Sequence, residues 1–197
     1  MDLKKGITYI AFGFLFTLVN FSLTFNGTSV VITPDFVGWI LLFLAYDKLG
    51  SYAQDRRFIK WISLALALVY AVVWAAEIFY PELNVDTIKT VATLVSAIYM
   101  FFLFGILEKI AHDCAPNKEK TIRTLKIANL VLYAALFAIS LIWKLISQEA
   151  AVTMFALVGI VALIVAIITA AELFKLRSTI SAIKETEQAE ERDESVC

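Results

Sequence analysis

Six apolar runs separated by short polar segments dominate this chain of 197 residues. They cover about residues 6–25, 34–46, 61–80, 91–107, 127–146 and 151–171. Five of them are 17 to 21 residues long, the length at which a helix crosses roughly 30 Å of hydrocarbon. Apolar residues make up 60% of the chain, against about 45–50% in a soluble domain, so the bilayer is its main solvent. The predicted fold is an all-α polytopic transmembrane helix bundle of six spans, forming one domain over residues 1–184. Residues 185–197 read as an acidic, disordered tail, because six of the ten positions from Glu185 to Glu194 are carboxylates.

Threading the six runs alternately places fifteen of the 17 Lys and Arg residues on one side, leaving only Lys89 and Lys144 on the other. Orientation follows the Lys/Arg excess in short loops, so both termini are predicted to be cytoplasmic. A net charge of -1 gives no nucleic-acid reading. Cys114 and Cys197 fall on the cytoplasmic side, where thiols stay reduced, so no disulfide is predicted. The first run is too long for a signal-peptide core and no small-x-small site follows it, so it reads as a retained span.

The second run is the exception. Thr33, Pro34 and Asp35 mark a helix start through a capping hydroxyl, a first-turn proline and a first-turn acid. From Pro34 to Tyr46 there are only 13 residues, roughly 20 Å of helix. The crossing then needs Asn26 to Thr33 to enter the membrane as irregular backbone, which is tolerated only under cover of protein or water. Asp35 would lie close to the midplane. Beyond the sixth run, Leu173, Leu176, Ile180 and Ile183 continue an amphipathic stripe, and Glu108 to Lys126 reads as a charged connector with a turn at Pro116-Asn117.

Polar side chains inside spans are costly unless paired or hydrated, so they mark function. Three stripes stand out: Gly13, Thr17, Asn20 and Thr24; Tyr70, Trp74 and Glu77; and Tyr133, Phe137, Ser140 and Lys144. They define a candidate pocket open to the outside, with Asp35 and Glu77 as acids, Lys144 as counter-charge, Asn20 orienting, and Tyr70 and Trp74 as aromatic walls. Such a pocket suits an organic cation or an amphipathic solute. Glu77 and Lys144 read more readily as span ends snorkelling to water. Ala67, Ala71 and Ala75, with Ala162, Ala166 and Ala170, form small-residue faces for packing within the chain or between copies. Asn26-Gly27-Thr28 matches a glycosylation acceptor, relevant only in a secretory setting.

His112, Asp113 and Cys114 supply too few ligands for a metal site, and no cofactor is predicted. The chain has no H-E-x-x-H, G-x-S-x-G, C-x-x-C or phosphate-binding loop, so no enzyme is predicted. An intramembrane acid pair of Asp35 and Glu77 stays open as an alternative.

The segment Val31-Ile32-Thr33-Pro34-Asp35-Phe36-Val37-Gly38-Trp39 after a Lys-Lys start resembles uncharacterised small multi-pass proteins of Gram-positive bacteria, which implies a bacterial plasma membrane. In size and span number the chain also looks like the substrate-capture subunits of energy-coupling-factor transporters, but span one lacks their paired-alanine docking motif. Two functions follow as expectations. One is binding or transport of a small solute; the other is a non-transporting scaffold, assembly or regulatory subunit. The expected partners are the lipid bilayer, a small solute, and a second copy or a membrane subunit.

Overall fold

The computed structural model describes residues 3–18, 22–25, 28–31, 34–80, 82–142 and 148–194. Six α-helices carry the fold: α1 (Leu3–Leu18), α2 (Asp35–Leu49), α3 (Arg57–Phe79), α4 (Asp86–Cys114), α5 (Pro116–Ile142) and α6 (Gln148–Glu194). Between α1 and α2 lies an antiparallel hairpin of β1 (Ser22–Phe25) and β2 (Thr28–Val31), with Phe25 opposite Thr28 and Ser22 opposite Val31. Each helix packs against the next, and α6 returns to α1, so the helices close a ring. Neighbours run antiparallel. Asp47 meets Lys60 while Phe36 meets Trp74, and Phe12 of α1 meets Phe174 of α6.

Among the described residues, four helical stretches are long and apolar enough to cross a membrane, within Asp35–Phe79, Asp86–Cys114, Pro116–Ile142 and Ala156–Ile183. The first is not a single rod. Gly50 adopts φ 59°, a left-handed backbone that a side chain disfavours, and the 3-10 turn Gly50–Arg56 folds α3 back on α2. Tyr46 Oη donates to the Ala53 carbonyl and pins that turn. At 16 and 15 residues, α1 and α2 are too short to cross alone.

Several boundaries differ from the sequence reading. Span one was placed through Phe25, but α1 stops at Leu18 and Thr24 belongs to a strand. The irregular segment predicted over Asn26 to Thr33 contains β2. Ser-Leu-Thr-Phe and Thr-Ser-Val-Val flank Asn26-Gly27, the short-range signal for a hairpin, and apolar length masked it. Pro34 keeps extended backbone (φ -71°, ψ 131°), so Asp35 is the first helical residue. The charged connector is helical: α4 and α5 are separated by Ala115 alone, because Pro116 suits a first helical position. Residues 185–194 continue α6 where a disordered tail was predicted, and their Glu, Gln and Ala are good helix formers.

Close approach, rather than side-chain volume, joins α1 to α2. A Cβ on Gly13 would lie 2.9 Å from the Gly38 carbonyl oxygen, and one on Gly38 would lie 2.6 Å from that of Gly13. On α6, Ala162, Ala166 and Ala170 are buried within the chain, so this alanine face packs inside one copy. Leu173, Leu176 and Ile180 are buried beside them, while Ile183 is exposed. Phe14 reaches Phe104 across the ring in an edge contact at 5.9 Å.

The first helix start and both tight turns gather at one end, where Gly6 abuts Lys48 and Leu49, and Tyr52 Oη lies 3.4 Å from Cys114 Sγ. This end is basic, and its charges pair between helices. Glu108 of α4 holds Arg123 and Lys126 of α5 at 2.6 and 3.3 Å, and Glu172 of α6 holds Lys118 of α5 at 3.1 Å and its own Lys175 at 2.5 Å. Arg56 donates to the Phe102 carbonyl at 3.1 Å and lies against Gly105, which leaves room for the guanidinium.

Candidate functional site

Five of the six helices bring a polar side chain to the middle of the ring. Asp35 opens α2, half-buried, with its Oδ1 atom enclosed. Its charge reaches the hydroxyls of Tyr70 on α3 and Tyr133 on α5. Thr17 of α1 neighbours the Tyr133 hydroxyl, and Ser96 and Thr93 of α4 neighbour that of Tyr70. Ser96 and Tyr133 are buried. Thr17 donates to the Phe14 carbonyl and Ser96 to that of Ala92, so their oxygens keep lone pairs for a partner.

Aromatic rings frame this centre. Trp39, fully buried, stacks on Tyr70 with centroids 6.1 Å apart and planes at 7°, and meets Tyr99 edge-on at 5.1 Å. Phe36 meets Trp74 edge-on at 5.7 Å. Tyr70 lies nine residues from the end of α3, Tyr133 nine from the end of α5, and Ser96 ten from the start of α4. At 1.5 Å per residue the centre is roughly 14 Å in from the hairpin end, about half of a 30 Å hydrocarbon layer.

The local sequence explains the placement. Asp35, Phe36, Gly38 and Trp39, at the start of α2, divide three tasks among them. Gly38 touches α1, Phe36 and Trp39 touch α3, and Asp35 turns to the tyrosines. Of the predicted pocket residues, Tyr70 stacks on Trp39 and feels the Asp35 charge, while Trp74 meets Phe36. Glu77 does not join them. One turn beyond Trp74, it is ion-paired with Lys89 of α4, both side chains partly exposed. Asn20 and Lys144 lie outside the described residues.

Trp39, Ser96 and Thr93 were missed by sequence reasoning. Thr93, Ser96 and Tyr99 recur at steps of three on α4, a polar stripe as visible as the three that were singled out. Lys89 as the partner of Glu77 was also legible, since the two charges flank the short connection between α3 and α4.

Two clefts run along the groove between α4 and α5. One of about 400 Å³ is apolar, lined by Leu94, Ala97, Phe101, Leu130, Ala134 and Phe137, with Tyr133 in its wall. The next, about 390 Å³, shares Leu94 and Phe137 and adds Asp86, Thr87, Thr90 and Ser140. A third, about 250 Å³, lies at the basic end beside Tyr46, Asp47, Gln54 and Arg57. Among the described residues no three His, Cys, Asp or Glu side chains gather for a metal. No protein-family model, curated protein or solved structure matches the chain.

Proposed function

We propose that this is a six-span protein of a bacterial plasma membrane that binds or transports a small solute at the Asp35 centre. The observation that carries the reading is the convergence of Thr17, Asp35, Tyr70, Ser96 and Tyr133, from five helices, at about half the bundle's depth. Polar groups at that depth are costly unless they serve a ligand, an ion or one another. The basic end then faces the cytoplasm, with both ends of the chain on that side. In this topology α1 and α2, about 24 and 22 Å long, are completed across the bilayer by the β-hairpin, whose four-residue strands add about 13 Å.

The carboxylate of Asp35 attracts a cationic or donor-rich group, Tyr70 and Trp74 offer aromatic surface to it with Trp39 backing Tyr70, and the hydroxyls of Thr17 and Ser96 orient it. The Glu77–Lys89 pair forms the rim. The test is thermal stability of the detergent-purified protein against a panel of small organic cations and neutral amphiphiles, with Asp35→Asn alongside. A solute at a hundred times its Kd should raise native stability by about 2.7 kcal/mol and leave Asp35→Asn unmoved. A flat panel with both proteins folded overturns the reading.

One feature favours the scaffold instead. At 47 residues, α6 is about 70 Å long, more than twice the hydrocarbon thickness, so its C-terminal part projects past the ring. In that reading the projection holds a partner subunit. Deleting residues 185–197 should then remove a partner from pull-downs, and an unchanged pull-down counts against it.

A further inference from the structure

The cations of the basic end fall into two groups. Lys118, Arg123, Lys126 and Lys175 are tied to Glu108 or Glu172, and Lys60 to Asp47. Arg56 and Lys109 have no carboxylate partner among the described residues, although they lie together. Arg56 is half-buried, donates to the Phe102 carbonyl at 3.1 Å, lies 5.7 Å from the centroid of the Phe102 ring and fills the space over Gly105. Phe102, Gly105 and Lys109 recur at steps of three and four, so Lys109 stands on the α4 face that Arg56 covers, one turn nearer the end of the helix. Phe102 is five residues inside the apolar run that closes near Leu107, so the guanidinium reaches about 7 Å past the edge of that run. A cation there is costly without an anion. The Phe102 carbonyl takes one of the five N–H donors of the guanidinium and leaves the others to a further acceptor.

We propose that Arg56 and Lys109 bind the phosphate of one anionic phospholipid at the basic end of the α3–α4 seam, with its acyl chains beside Phe58 and Phe101. The proposal rests on the bilayer reading above and is independent of the Asp35 centre's being a solute site. Charge selects the phosphate: two cations about one helical turn apart suit a single anion, and the planar guanidinium gives it two parallel N–H bonds. The rings select a lipid over a soluble phosphate. Phe58, 47% exposed, meets Phe102 edge-on at 5.3 Å, and Phe101, 41% exposed, meets Phe102 at 5.8 Å. This open aromatic ledge, beside cations at the edge of an apolar run, matches the headgroup and first methylenes of an anionic lipid. The acids nearest in sequence are turned elsewhere. Asp55 neighbours Tyr46 of α2, Asp113 neighbours the Tyr52 hydroxyl, and Glu108 is taken by Arg123 and Lys126 of α5.

The experiment is native mass spectrometry of the detergent-purified full chain with phosphatidylglycerol, phosphatidylcholine and diacylglycerol, compared for the wild type, Arg56→Gln, Lys109→Gln and Lys120→Gln. Lys109 and Lys120 are both exposed, so neither change disturbs the packing, and Lys120 on α5 controls for the loss of one positive charge at the same end. The expected result is one retained phosphatidylglycerol in preference to both other lipids. Its binding should weaken about tenfold in Arg56→Gln and about fivefold in Lys109→Gln, the equivalents of about 1.4 and 1 kcal/mol, and stay unchanged in Lys120→Gln. Equal retention of the three lipids, or an equal loss in Lys120→Gln, overturns the proposal. A loss confined to Arg56→Gln also overturns it, since Arg56 would then only tie the 3-10 turn to α4. Release of the bound lipid by millimolar glycerol phosphate would assign the cations to a soluble phosphate and overturn the lipid. Resistance of the chain to alkaline carbonate extraction from membranes tests the bilayer reading separately, so a failed lipid result with a carbonate-resistant protein counts against this site alone.

Discussion

Two antiparallel helix pairs of this ring solve the same packing problem in opposite ways. In α1–α2, Gly13 and Gly38 let backbone meet backbone, and nothing the size of a ligand fits between them. In α4–α5, Leu94, Phe101, Leu130 and Phe137 line an open groove along the outer side of an otherwise closely packed pair. Helix association in lipid gains from close van der Waals contact and has little hydrophobic drive. The glycine pair is therefore where two backbones touch, and the leucine–phenylalanine pair is where side chains make the contact and leave a groove on its outer side. The tight pair also aims the chemistry, because the turn of α2 that presses Gly38 onto α1 points Asp35 and Trp39 into the ring.

Emptying the centre is the harshest way to test that contrast. Trp39→Ala removes a fully buried ring that touches Tyr70 and Tyr99 and should cost about 3–5 kcal/mol. Phe101→Ala on the groove, where the ring is 41% exposed, should cost well under half of that, since lipid refills the space. Denaturation of both variants in mixed micelles measures the difference, and similar losses would dissolve the distinction between the two pairs. Next comes Gly38→Ala. The added Cβ meets the Gly13 carbonyl and Thr17 Cγ2 at 2.6 and 2.7 Å, neither of which is a flexible chain end, so the helices must separate at about 1–3 kcal/mol. Solute binding at Asp35 should fall with it even where the protein stays folded.

The contrast was partly legible in the sequence. Six helices, their alternation and the basic end follow from apolar run length and Lys/Arg spacing. Asp35 was visible because an acid at the start of an apolar run stands out, whether as a helix-start residue or as a functional one. The hairpin was not found, because Leu18 to Phe25 is apolar enough to continue a span and hydropathy cannot tell a strand from a helix. Trp39 and Ser96 were missed for a different reason. Their importance lies in which helix faces which, and spacing along one helix carries no information about its neighbour. The glycines illustrate this best: Gly13 was read as part of a polar stripe, while its effect comes from the backbone of Gly38.

A smaller effect is expected at the basic end, where the α4–α5 pair is tied by charge. Glu108→Gln loosens the α4–α5 tie to Arg123 and Lys126. Arg123 is well exposed, so the loss should be about 1 kcal/mol or less and should shrink as salt is added. A larger, salt-insensitive loss would mean that the ion pair, and not side-chain size, sets the spacing of α4 and α5, and the groove would then be a consequence of charge geometry.

The smallest effect separates packing from glycine itself. Gly159 lies in α6 and a Cβ there would meet nothing within 4 Å. Gly159→Ala should change stability by no more than about 0.5 kcal/mol in either direction, as for surface positions in general. Any shift should be toward greater stability, since alanine holds a helix better. The comparison that matters is with Gly38→Ala in the same micelles. If both alanines destabilise alike, then glycine serves this fold through helix flexibility, and the close contact of α1 with α2 is not what holds Asp35 in place. If only Gly38→Ala destabilises, the backbone contact at one turn of α2 connects the fold's tightest joint to its polar centre.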